Sequence, residues 1–275
     1  MLKLKFHWIA TLTLCMPFAA FAQQNKQETI RAEVSSAMAT SACQSTFTSG
    51  SGPNFLQWCV TQNGNIVEFQ SPVGFEHIRE GSFNEGYGIC DFSNTSRYFD
   101  WADGGDSGNW LAPVRTQPHG PNTFPLKIVR TTIDGIFTLT QIFAQIPGEQ
   151  VAKVTMTLKN NTAVSRDYAL VRYADVDANN ANGGTFSNSF DFDHKSAWGY
   201  NPGFNLYGLM LTTVPTTLGH FAVVQNTAAP IDPCSPVAHL PIPTPFVGDG
   251  SVAMDWNGTL GPGKTVTVTG EYKRF

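Results

Sequence analysis

The stretch Val151-Ala-Lys-Val-Thr-Met-Thr-Leu-Lys159 decides the fold. Val154, Met156 and Leu158 alternate with Thr155, Thr157 and Lys159, so an extended chain here is apolar on one face and polar on the other. That period of two belongs to an antiparallel strand with one side on a core and one side in water. The same reading extends along the chain. Phe55 to Thr61 and Asn65 to Gln70 flank Asn63-Gly64, a pair that favours the positive φ of a tight hairpin turn. Leu126 to Ile133 and Ile136 to Ala144 flank Asp134-Gly135 in the same way. A third hairpin is expected from Val151 to Lys159 through Asn160-Asn161 to Ser165–Asp177, and a fourth from Val252 to Trp256 through Gly261-Pro262-Gly263 to Lys264–Tyr272.

Successive hairpins without an intervening helical period predict an all-β fold: one large, supersandwich-like antiparallel β-sandwich over residues 43–275. Composition agrees. Only 14% of residues are charged, 25 are Gly, 17 are Pro and 20 are Phe, a profile of short strands joined by turns rather than amphipathic helices. Residues 230–245 hold six prolines, which excludes a central strand and predicts an irregular segment that Cys234 ties to the body. In the final strand Val266, Val268 and Tyr272 share one face, while Thr267, Thr269, Glu271 and Lys273 share the face in phase with Phe275. That phase is opposite to what a lipid-facing terminal barrel strand needs.

The amino terminus predicts export. Lys3 and Lys5 precede a mostly apolar run from Phe6 to Phe18, and Ala20-Phe21-Ala22 is a small-x-small cleavage site, so residues 1–22 read as a signal peptide. Cys15 follows Leu14 rather than a small residue and is read as part of the discarded leader, not as a lipid anchor. The apolar run falls short of the roughly 20 residues that span a bilayer, so no transmembrane segment is expected in the mature chain. Residues 23–42 form a polar lead-in with a short helix expected around Glu28 to Met38. Cleavage after Ala22 takes 22 of 275 residues and leaves 253, with 15 basic against 21 acidic groups and a net charge of −6. Without a basic cluster, nucleic acid is not an expected partner. The expected location is periplasmic or secreted.

Four cysteines remain, an even number in an oxidising compartment. The Gly-rich stretch Ser49–Pro53 folds the chain back between Cys43 and Cys59, which leaves Cys90 for Cys234. None forms the close pairs that a zinc site uses.

Three constellations bear on chemistry. Gly105-Asp106-Ser107-Gly108 resembles the nucleophile loop of chymotrypsin-like serine proteases, yet the only mature upstream histidine is His77, 30 residues before Ser107, and Asn109 follows the motif. It is read as an Asp/Gly/Ser turn between Trp101 and Trp110. Tyr173-Ala-Asp175-Val-Asp177-Ala-Asn179 runs from a strand into a Gly/Asn-rich loop, and Asp175 and Asp177 point the same way with Cα atoms about 6.6 Å apart. Paired carboxylates with an amide oxygen suit Ca²⁺, so Asp175, Asp177 and Asn179 are its candidate ligands. A second acidic pair, Asp191 and Asp193, follows the loop. The spacing is not that of an EF-hand, since Asn180 and Phe186 stand where Gly and Glu are needed.

The third constellation, Tyr98, Trp101, Asp103, Asn109 and Trp110, mixes rings with short polar acceptors, as a sugar site requires, and Trp101 and Trp110 are expected to be exposed among Gly and Asp. The histidines at 77, 119, 194, 220 and 239 show no metal-binding spacing. The leading expectation is a non-catalytic β-sandwich that binds an extracellular or envelope glycan. A carbohydrate-active enzyme is the alternative, its candidate acids Glu76, Glu80, Glu85, Asp175, Asp177 and Asp191. A structural or adhesion protein of the cell envelope is the third reading.

Overall fold

In a computed structural model the described residues are 42–78, 85–178, 187–191, 193–203, 207–214, 219–226, 231–235 and 244–274. The leader, the helix expected at 28–38, Glu80, Asn179 and His239 lie outside them. Among the described residues the strands are, in order, β1 (Cys43–Ser49), β2 (Leu56–Thr61), β3 (Ile66–Gln70), β4 (Glu85–Asp91), β5 (Ser96–Asp100), β6 (Val114–Thr116), β7 (Leu126–Thr131), β8 (Phe137–Gln145) and β9 (Val151–Asn160). They continue with β10 (Arg166–Asp175), β11 (Ser187–Phe190), β12 (Ser196–Tyr200), β13 (Gly208–Thr213), β14 (Gly219–Gln225), β15 (Phe246–Val247), β16 (Ser251–Leu260) and β17 (Thr265–Arg274).

The strands form three antiparallel sheets: β1-β2-β3, the five-stranded β14-β16-β10-β4-β5, and the nine-stranded β15-β11-β12-β13-β17-β9-β8-β7-β6. The alternation at 151–159 places Val154, Met156 and Leu158 in the core and turns Thr155, Thr157 and Lys159 outward. Leu139, Phe143, Val268 and Tyr272 extend that apolar face across β8 and β17. Opposite them, the five-stranded sheet supplies Tyr87, Ile89, Tyr168, Leu170, Met254 and Trp256. This is the expected β-sandwich, and the small sheet closes one part of it with Phe47 and Trp58 packed on Phe124 at ring distances of 4.1 and 5.7 Å.

The Asn-Gly and Asp-Gly hairpins form as expected, as β2–β3 and β7–β8. At the first, Gly64 has φ +100°, and a Cβ there would meet the Gln141 side-chain nitrogen at 2.4 Å, so the turn needs glycine both for conformation and for space.

The third and fourth expected hairpins do not form. β9 pairs with β8 and β17 in one sheet, whereas β10 pairs with β4 and β16 in the other. Likewise β16 and β17 lie in different sheets. Both connections are crossovers that carry the chain across the core, so the apolar faces of consecutive strands look at each other instead of lying side by side. One buried residue holds both crossovers. The Asn160 side-chain amide donates to the carbonyls of Val164 (2.7 Å), Leu260 (3.0 Å) and Gly261 (3.2 Å), and its carbonyl accepts from the Thr162 backbone N–H and hydroxyl.

The outer face of the five-stranded sheet is covered as well. Trp101, Val171, Tyr173, Val223, Ile231 and Ala253 form a second apolar cluster there. Both predicted disulfides are present, Cys43–Cys59 and Cys90–Cys234, with Cα separations of 5.7 and 4.9 Å. The second ties residues 231–235 over β4. Gly88 permits that approach: a Cβ there would lie 3.0 Å from Pro233 and 3.1 Å from Trp101.

Candidate functional site

The period of two in β5 sets the site. Tyr98 and Asp100 turn into the core between the sheets, so Arg97 and Phe99 face outward, and Trp101 follows them on that side. These three and Gly104 form one wall of an open groove of about 290 Å³; Ile231, Asp232 and Pro233, held down by Cys234, form the other. The Phe99 ring is partly buried and stacks on Trp101 at 5.8 Å and 13°, while Trp101 meets Tyr173 edge-on at 5.7 Å. At the rim the Arg97 guanidinium donates to Asp232 at 2.8 Å. The same carboxylate oxygen accepts the Cys234 N–H at 2.9 Å, and the Arg97 hydrogen bond holds the Asp232 carboxyl below the usual carboxylate range. The groove therefore offers an apolar floor with one cation and one anion at its edge, a lining that suits a ligand with both C–H faces and polar groups.

Of the five residues expected to contact a sugar, only Trp101 lines this groove. Trp101 and Trp110 are 2% and 1% exposed, which corrects the expectation that both indoles reach solvent. The Gly and Asp residues beside them in sequence are not what covers them. Trp110 lies between the sheets, edge-on to Tyr87 and Tyr98 at 5.8 and 6.2 Å, with the Arg130 guanidinium 5.0 Å from its ring. Tyr98 also points inward, and its hydroxyl donates to Asp134 at 2.6 Å. Asp103 and Asn109 are exposed, and the Asn109 amide donates to the Arg97 carbonyl at 3.2 Å. The residues missed are Phe99, Arg97 and Asp232. Alternation along β5 groups the first two with Trp101; nothing local announces the third.

Gly105–Gly108 is the turn expected. The Ser107 hydroxyl accepts the Phe99 N–H at 3.1 Å, and Asp106 accepts the Gly108 N–H at 2.6 Å. Burial, reinforced by the neighbouring Asp100, pushes the Asp106 carboxyl up to about 7. The Arg130 guanidinium holds both acids, 2.6 Å from Asp100 and 3.6 Å from Asp106. His77 is spent elsewhere: its Nε2 donates to the Ser71 carbonyl at 2.8 Å, and burial lowers its pKa to about 4. Ser107 and His77 share no hydrogen bond.

The candidate acids divide among separate tasks. Glu76 accepts the backbone N–H groups of Phe69 and Ile78 at 2.8 and 2.9 Å. Glu85 is fully buried against Arg172 at 2.7 Å. Asp191 accepts the Lys195 N–H at 2.6 Å, and Asp193 pairs with the Lys195 ammonium at 2.8 Å, so this pair serves its own turn. Asp175 and Asp177, 5% and 7% exposed, act electrostatically with Asp249 on Tyr173, whose hydroxyl bonds to the Ser251 side chain. Burial first, and then Asp175, raise that phenol far above its ordinary value. Among the described residues no group of three or more His, Cys, Asp or Glu side chains is arranged to hold a metal ion, and Asn179 lies outside them.

No protein-family model matches the chain, and no curated protein matches it. Solved structures resemble it in fold. A bacterial glucoamylase complexed with acarbose superposes with a TM-score of 0.57 at 10% identity, over 86% of this chain and 32% of that one. The heparan sulfate lyase HepC from Pedobacter heparinus superposes with a TM-score of 0.51 at 8% identity, over 94% of this chain and 41% of that one. The chain spans less than half the length of either, and at these identities the likeness is one of fold: a large β-sandwich of the kind found in carbohydrate-active proteins.

Proposed function

We propose that this is an exported glycan-binding protein, acting without turnover, whose contact surface is the groove beside Phe99. The observation that carries the reading is the partly buried Phe99 ring stacked on Trp101, with the Arg97–Asp232 pair at its rim. Its fold is one that carbohydrate-active proteins use, and its two disulfides suit an oxidising compartment outside the cytoplasm. No helix among the described residues is long and apolar enough to cross a membrane.

Stacking one sugar face on Phe99 contributes about 1 kcal/mol beyond area burial, by analogy with aromatic pairs. Binding is therefore weak per site and gains from multivalency. On a glycan array followed by titration, Phe99→Ala is expected to lower affinity at least about fivefold, since it removes the ring's buried area as well. Trp110→Ala does not test contact, because that ring lies inside the sandwich. Absence of binding to any glycan, or binding indifferent to Phe99→Ala, overturns the reading in favour of a structural or adhesion role.

One feature favours the enzyme reading as a second choice: the charges of Asp175, Asp177 and Asp249 all bear on Tyr173, whose ring lies edge-on to Trp101. Formation of product from a bound glycan would decide for it. For the same acids we propose Ca²⁺ coordination by Asp175, Asp177 and Asn179. A bound ion stabilises the folded chain by mass action, so saturating Ca²⁺ is expected to raise the melting temperature and Asp177→Ala to abolish the rise. An unchanged melting curve on chelation removes the ion from the account.

A further inference from the structure

Arg115 sits at the centre of β6, the three-residue edge strand of the nine-stranded sheet. Its side chain reaches the β1–β2 pair, where Nη1 donates to the Thr61 carbonyl at 3.0 Å and Nη2 to the Ser45 hydroxyl. Both partners are neutral. A guanidinium has five N–H donors in a planar fork, so most of its donating capacity is left over. The residue is half-buried, and burial alone pulls its pKa down, with no carboxylate acting on it. Among the described arginines only Arg274, whose guanidinium donates to Gln150, likewise has no acid partner. Arg97, Arg130, Arg166 and Arg172 each have an Asp or Glu within 3.0 Å. Among the described residues no acidic side chain forms an ion pair with Arg115.

Arg115 lines a groove of about 340 Å³ together with Gln44, Gln117, Gly120 and Pro121. Gln117 is fixed in place: its Oε1 accepts the Ser45 hydroxyl at 3.1 Å and its Nε2 donates to the Thr123 carbonyl at 3.1 Å. Gln44 is exposed. A partly desolvated cation held by neutral groups, lining a groove of this size, is completed by an anion from outside.

We infer that the Arg115 groove binds an oxyanion, a carboxylate or a sulfate ester, carried on a molecule of about the size of one sugar ring. The guanidinium fork pairs with two oxygens of the anion, and the exposed Gln44 amide bonds to polar groups beside it. This site does not rest on the glycan reading at Phe99: Arg115 belongs to β6 of the nine-stranded sheet and Phe99 to β5 of the five-stranded one.

The test is calorimetric titration at constant ionic strength with a hexuronate, a hexose 6-sulfate, inorganic sulfate and the neutral hexose. An anionic probe is expected to bind saturably in the Phe99→Ala protein and the neutral hexose not to bind that variant, and the anionic probe that binds identifies the group recognised. Gln44→Asp brings the chain's own carboxylate into the groove and leaves the bonds of Arg115 intact; it is expected to weaken the anionic probe about tenfold or more. Arg115→Gln is expected to do the same, and Phe99→Ala to leave binding at this groove unchanged. Gln44→Asp decides if Arg115→Gln fails to fold. No saturable binding of any anionic probe by the unaltered protein, or binding that survives Gln44→Asp, overturns the inference.

Discussion

Glu85→Ala is expected to destabilise the protein by about 3–5 kcal/mol, because it strands a buried guanidinium. Arg172 is fully buried and spends its donors on four partners: Glu85 at 2.8 Å through Nε, the Tyr272 hydroxyl at 2.6 Å, Gln141 at 2.7 Å and the Gly64 carbonyl at 3.2 Å. Glu85 is the one anion among these. Its other oxygen accepts the Ile66 N–H, and its first also accepts the Tyr272 hydroxyl. The cluster joins β10 and β4 of one large sheet to β8 and β17 of the other, and takes in the β2–β3 turn. Urea unfolding followed by circular dichroism measures the loss, and a change below about 1 kcal/mol would show that water reaches Arg172 and the pair is not structural. The double variant Glu85→Leu with Arg172→Met is expected to recover most of the stability, since apolar groups of similar volume commonly replace a buried ion pair without penalty.

Removal of the second disulfide carries the other large expected effect. Cys90 and Cys234 are 144 residues apart, and chain-entropy arithmetic gives about 5 kcal/mol for a loop of that length, against about 3 kcal/mol for the separation of 16 between Cys43 and Cys59. The double variant Cys90→Ala with Cys234→Ala also frees residues 231–235 from the outer face of the five-stranded sheet, which uncovers Trp101. A red shift in tryptophan emission and loss of the Phe99 groove are therefore expected together with the drop in stability. A smaller loss than that of Cys43→Ala with Cys59→Ala would contradict the loop-length account.

Strands were legible in the sequence, partners less so. Val154, Met156 and Leu158 declare which face of β9 is buried, but alternation is the same whether the next strand lies beside it or across the core. Asn160-Asn161 and Gly261-Pro262-Gly263 turn the chain either way, so the two crossovers read as hairpins. Asn63-Gly64 and Asp134-Gly135 did specify hairpins, because two-residue turns with positive φ join strands of one sheet. The disulfides followed from counting and from one flexible stretch. The site was harder. Trp101 is covered by residues 231–235, far along the chain, and Trp110 by Tyr87, Tyr98 and Arg130, so neighbours in sequence said nothing of their exposure. Phe99 was recoverable from the period of β5. Arg115 was not: the feature that marks it is that its described partners in space are neutral, which no spacing records.

Asn160 has a consequence for how this protein can vary. Its amide joins the connection at 161–165 to the one at 261–264, segments about one hundred residues apart along the chain that lie between the β9–β17 and β10–β16 pairings. Insertions in surface loops are ordinarily tolerated, since lengthening a flexible loop costs little. Here an added residue in either segment shifts a carbonyl away from a donor that has no water to turn to. The two connections are thus bound to a common length, and diversification of this scaffold, natural or engineered, is channelled into the loops that Asn160 does not touch.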